Sequence, residues 1–178
     1  MNPNKIEFQN LELLIKEGNF SLAEKKIKTL LEKNRNSEIL QNLLGVSLIN
    51  QGKYRESTEL YEDLIKNYPK NVFAHNNLAV SLMKTQRLEE AIVRFEEALL
   101  LDPNFNQASI NLAEIYVLKN DTNKVESYLK KLIKNNSNKK EILIIAAEIF
   151  IKIKKVSEAI KIYEMTSNLN PNSFDLSI

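Results

Sequence analysis

The stretch VFAHNNLAVSLMKTQRLEEAIVRFEEALLLDPNF, residues 72–105, decides the fold. Its first half carries Leu78, Ala79 and Leu82 at helical spacing, and its second half does the same with Ala91, Phe95 and Ala98, so two amphipathic helices are predicted over 72–85 and 88–101. Asp102-Pro103-Asn104 ends the second, because proline cannot continue a helix and disfavours helical backbone just before it. Working outward, the layout returns every 34 residues: Pro69, Pro103 and Pro171 are 34 and then twice 34 apart. The phase places repeats at 4–37, 38–71, 72–105, 106–139 and 140–173 without insertion or deletion, and leaves the stub of a sixth at 174–178. Position 20 is small or branched throughout (Ala23, Ser57, Ala91, Val125, Ala159), and position 24 is large and apolar or aromatic (Ile27, Tyr61, Phe95, Leu129, Tyr163). Small residues at positions 8 and 20 let the two helices of a repeat approach, and bulk there would splay them. Gly18 and Gly52 fall at position 15, the turn between helices, where a left-handed backbone costs glycine nothing.

These residues are similar to the tetratricopeptide family, whose pattern sets Leu-Gly, Tyr, Ala, Phe, Ala and Pro in that order along each repeat. Leu44-Gly45, Leu78-Ala79, Leu112-Ala113 and Ala146-Ala147 stand at positions 7 and 8, and Leu14, Leu48, Leu82, Tyr116 and Phe150 at position 11. Repeats 1 and 4 depart most, with Arg35 and Ser137 in the place of the proline. The resemblance implies an all-α fold: a right-handed α-solenoid superhelix of about ten antiparallel helices, one domain over 1–178. In each repeat, helix A covers positions 1–14 and helix B positions 17–30. Neither buries its stripe alone, so neighbours supply the cover.

Composition agrees with a helical, non-catalytic chain. Three glycines and four prolines in 178 residues are too few for strands and tight turns, and 43% hydrophobic content is enough for a core. The absence of cysteine removes disulfides, thiolate metal sites and a thiol nucleophile. No signal-peptide run opens the chain, and the apolar stretch Ile142 to Ile153 is interrupted by Glu148 and Lys152, so a soluble, cytoplasmic protein without membrane insertion is expected. His75, the only histidine, stands at position 4 of repeat 3, where the family places a packing aromatic, and no partner ligands accompany it. Three isolated glycines make no phosphate loop, and Glu89-Glu90 and Glu96-Glu97 read as the charged outer face of a helix. No catalytic residue, metal or cofactor is therefore expected.

What remains is a second stripe on the A helices, at positions 2, 5, 6, 9, 12 and 13, the face that lines the concave groove in the family. Repeat 2 offers Ile39, Asn42, Leu43, Val46 and Ile49 there, and repeat 3 offers Phe73, Asn76, Asn77, Val80 and Met83. The partner-binding candidates are Ile39, Asn42, Val46, Phe73, Asn76, Asn77, Val80, Met83 and, at the same position as Asn77 one repeat on, Asn111. That asparagine pair resembles the ladder with which O-linked N-acetylglucosamine transferases grip peptide backbone. The Lys/Asn/Arg carboxylate clamp of other members is missing. The resulting expectation is a protein-interaction scaffold for an extended peptide or partner helix. The alternative is the repeat portion of a larger enzyme such as a glycosyltransferase or sulfotransferase. Nucleic acid ranks lower: residues 119–161 hold eleven lysines against five acids, which reads first as a solvated coat. The last repeat lacks a polar cap, so its end face is expected to meet either a second copy or further chain.

Overall fold

In a computed structural model, residues 3–169 are described. Every regular element among them is a helix: α1 (Pro3–Lys16), α2 (Phe20–Lys33), α3 (Glu38–Asn50), α4 (Tyr54–Asn67), α5 (Val72–Lys84), α6 (Leu88–Leu101), α7 (Asn106–Leu118), α8 (Thr122–Asn135), α9 (Lys140–Lys152) and α10 (Val156–Leu169). The five B helices begin and end at the residues predicted from the phase. The A helices stop one residue early, at Lys16, Asn50, Lys84, Leu118 and Lys152. Pro171 and the stub 174–178 lie outside the described residues.

The early stop has a common cause. The residue at position 15 takes a left-handed backbone in all five repeats: Gly18 (φ 78°), Gly52 (74°), Gln86 (63°), Asn120 (56°) and Lys154 (61°). Each closes its A helix with the same pair of bonds. In repeat 2, Gly52 N donates to Ile49 O at 3.0 Å and Lys53 N to Leu48 O at 2.9 Å; in repeat 5, Lys154 N donates to Ile151 O and Lys155 N to Phe150 O, both at 2.9 Å. This is the Schellman arrangement, which satisfies carbonyls left over at a helix end. At the other end, the Ser37 hydroxyl accepts from Leu40 N and the Asn71 side chain from Ala74 N at 2.8 Å, capping α3 and α5.

Packing divides the chain into two compact units, residues 1–101 and 102–178. In the first, Leu11, Ala23, Ile27, Leu40, Leu44 and Leu48 form one cluster that joins α1, α2 and α3, so the least family-like repeat still contributes its core face. Gly45 is required by contact: a Cβ there would run into the Tyr61 ring. Ala91, Phe95 and Ala98 are fully buried where α5 meets α6, and burying a side chain such as Phe95 contributes about 1.5–3 kcal/mol. Glu24 fastens α2 to the following hairpin. Its carboxylate accepts from Lys28 Nζ at 2.6 Å, Gln51 Nε2 at 2.7 Å and Lys53 Nζ at 2.8 Å.

In the second unit, α7 packs on α8 and α9, and α9 on α10. Tyr116 and Tyr128 stack with centroids 5.8 Å apart, and the Lys124 ammonium lies 4.5 Å above the Tyr116 ring. Repeat 4 lacks its proline, and an amide pair stands beside that place. Asn106 Nδ2 donates to Asn136 Oδ1 at 3.0 Å, Asn136 Nδ2 returns the bond at 2.8 Å, and the buried Asn136 also donates to Leu132 O.

Candidate protein-interaction surface

The A helices of the first unit, α1, α3 and α5, are neighbours in the stack and present the second stripe side by side. Its two most exposed candidates are Ile39 and Phe73, which occupy the same position in the first turns of α3 and α5 and are 62% and 56% exposed. Val46, Val80 and Met83, further along the two helices, are half-buried, as are Leu43 and Ile49. The surface therefore has an apolar rim that faces water and an apolar floor already partly packed.

The asparagines are held differently. Asn77 Nδ2 donates to the Tyr61 hydroxyl at 3.0 Å and to Asn42 Oδ1 at 3.2 Å, while Asn77 Oδ1 accepts from Asn76 Nδ2 at 3.0 Å. The Tyr61 hydroxyl in turn donates to the Asn42 carbonyl oxygen at 3.0 Å. Asn77, one of the two expected backbone-gripping residues, thus helps to brace α3, α4 and α5 against one another. Burial pushes the Tyr61 phenol well above its ordinary range, so it stays a neutral donor. Its position in the repeat assigns Tyr61 only to the core. The available signal was a phenol where Ile27, Phe95 and Leu129 manage without a hydroxyl. Asn111, on α7 in the second unit, is buried, and its Oδ1 accepts from Gln107 Nε2 at 3.3 Å.

Two other expectations resolve locally. His75 is buried as its position implied, but by polar contacts as well as packing: Nδ1 lies 3.0 Å from Glu97 Oε2 and Nε2 3.0 Å from Pro69 O. Glu97 is consequently not simple outer-face charge. It bridges His75 and Arg94, the latter at 2.8 Å, whereas Glu90 keeps an exposed pairing with Arg87. Among the described residues no three His, Cys, Asp or Glu side chains converge as metal ligands would, and no helix is long and apolar enough to cross a membrane.

Known proteins share this architecture. The family model of the coatomer epsilon subunit matches residues 6–142. A thermophilic tetratricopeptide protein of Thermus thermophilus superposes with a TM-score of 0.79 at 17% identity, covering 96% of this chain and 93% of that one. The pilF protein of Pseudomonas aeruginosa does so with a TM-score of 0.75 at 20% identity, covering 93% and 75%. In sequence, the inactive TPR repeat-containing thioredoxin TTL3 of Arabidopsis thaliana is 31% identical over 86 residues, which is 48% of this chain but only 12% of that protein. The match thus spans about an eighth of that relative's length. A 34-residue phase that sets ten helix ends, five identical turns and these superpositions lead to one assignment: the chain is a tetratricopeptide-type repeat protein and belongs to the coatomer epsilon subunit family.

Proposed function

We propose that the chain is a non-catalytic protein-interaction scaffold that holds an extended peptide or a partner helix against the A-helix face of its first unit. The observation that carries the reading is the exposure of Ile39 and Phe73 at equivalent positions of adjacent helices, above the half-buried Val46, Val80 and Met83. Large apolar side chains kept in water at matched positions supply the hydrophobic centre that an interface needs. Asn42, Asn76 and Asn77 serve it as a frame: with their amides tied down, the apolar residues are held at a set spacing and lose little freedom on binding. Asn111 belongs to the corresponding face of α7, where it accepts from Gln107 of the same helix.

The test is a peptide-display selection against the chain, followed by binding of the selected peptide to variants. Ile39→Asp with Phe73→Asp is expected to weaken binding by at least about 100-fold, roughly the 2–4 kcal/mol of an interface hot spot, with the melting curve unchanged. Binding that survives both substitutions at parental strength refutes the reading. A second reading, that this repeat array serves as one part of a larger protein, draws on the relatives: the TTL3 match covers 12% of a protein whose printed name joins the repeats to a thioredoxin. On that reading the same surface does the binding and the chemistry lies elsewhere.

A further inference from the structure

Helices α1 and α10 expose side chains whose counterparts at the same repeat positions are buried elsewhere in the chain. Inside the first unit, position 10 of an A helix meets position 20 of the preceding B helix, as the buried Ser57 and Ser81 hydroxyls show at 2.8 Å. Position 6 meets position 24 in the same way, as the Asn77 amide does with Tyr61. At position 10, Ser47, Ser81, Ile115 and Ile149 are at most 1% exposed, whereas Leu13 on α1 is 52% exposed. At position 24, Ile27, Tyr61, Phe95 and Leu129 are 0% exposed, whereas Tyr163 on α10 is 37% exposed. Position 21 repeats the contrast, with Ile160 at 52% against 8% or less for Glu24, Thr58 and Ile92.

We infer that a second copy of this chain docks head to tail, laying its α1 on α10 as α3 lies on α2 within one chain. The residues complement each other. Leu13 supplies an apolar group at position 10. Gln9, exposed at position 6, brings an amide to the Tyr163 hydroxyl, as Asn77 brings one to Tyr61. Asn10 and Glu17, both exposed, stand at positions 7 and 14 where repeat 2 has Leu44 and Gln51, so the contact is weaker than an internal one and the assembly is reversible. A contact between two different surfaces leaves one of each free in a pair, so it extends past the dimer, as an open chain or a ring. This face is separate from the one proposed to bind peptide, and neither inference depends on the other.

Sedimentation velocity of the 178-residue chain, from micromolar to millimolar concentration, tests it with Leu13→Glu and Ile160→Glu. The parent is expected to gain mean mass continuously, with no plateau at dimer. Each variant alone is expected to stay monomeric with an unchanged melting curve, since both side chains are half-exposed in the single chain. The equimolar mixture is expected to give a 1:1 dimer, because one variant keeps a sound tail and the other a sound head. A parent that remains monomeric overturns the inference, as does a mixture that stays monomeric. So does Leu13→Glu associating like the parent, which would mean that tails pair with tails.

Discussion

Two side-chain hubs in the first unit show what single residues add to a repeat. The Asn42–Tyr61–Asn77 cluster lies where an apolar repeat would have no polar atoms, and every amide proton of Asn77 is used inside it. Asn77→Leu and Tyr61→Phe should therefore each lower stability by about 1–2 kcal/mol, the cost of stranding a partner in a partly buried site. The double variant should cost less than the sum, which a denaturant-melt cycle measures; strict additivity would show that the groups do not brace one another. Glu24 is a charged hub. Its carboxyl is lowered from an ordinary 4.5 to about 2 because Lys28 and Lys53 donate to it, with Gln51 adding a third bond against the cost of burial. A folded-state pKa below the unfolded one stabilises above pH 4.5, and that contribution drains away as the pH falls through about 2. Glu24→Gln should thus cost about 1–3 kcal/mol at neutral pH, with the gap to the parent narrowing between pH 4.5 and 2 in melts; a gap independent of pH contradicts the assignment.

At the scale of the element, the left-handed turn is the feature that all repeats share and that their residues support unequally. Gly18 and Gly52 adopt it without strain and Asn120 tolerates it, whereas Gln86 and Lys154 have no such ease. Relief of about 1–2 kcal/mol of backbone strain, less about 0.5–1 for the added freedom of glycine when unfolded, leaves Gln86→Gly and Lys154→Gly each stabilising by about 0.5–1 kcal/mol. Thermal melts check this, and an unchanged or lower midpoint counts against it. The turn also shows what could be read in advance. Two glycines in phase marked its place, and from that phase each B helix was legible to the residue. The conformation of Gln86 and Lys154 was not, because nothing in those side chains calls for a positive φ. The Schellman bonds of the closing helix impose it. Likewise, the period shows which face a residue occupies but not which partner its amide chooses, so the hydrogen bonds of Asn77 are not legible in it.

Across the whole molecule, charge is close to balanced at +2, and exposed apolar groups distinguish surfaces better. They are not confined to the A helices: Val93 and Leu100 on α6 are 52% and 84% exposed, one helical face of a B helix. Ile39 and Phe73 differ from these in recurring at one position of two adjacent helices, the pattern that an elongated ligand crossing both would use. The claim that the A-helix face binds is tested most directly by methyl NMR of the 178-residue chain titrated with a display-selected peptide. Shifts are expected in the methyl groups of Ile39, Val46, Val80 and Met83, with Val93 and Leu100 unmoved. Shifts confined to Val93 and Leu100 would place the binding surface on the B helices and contradict it.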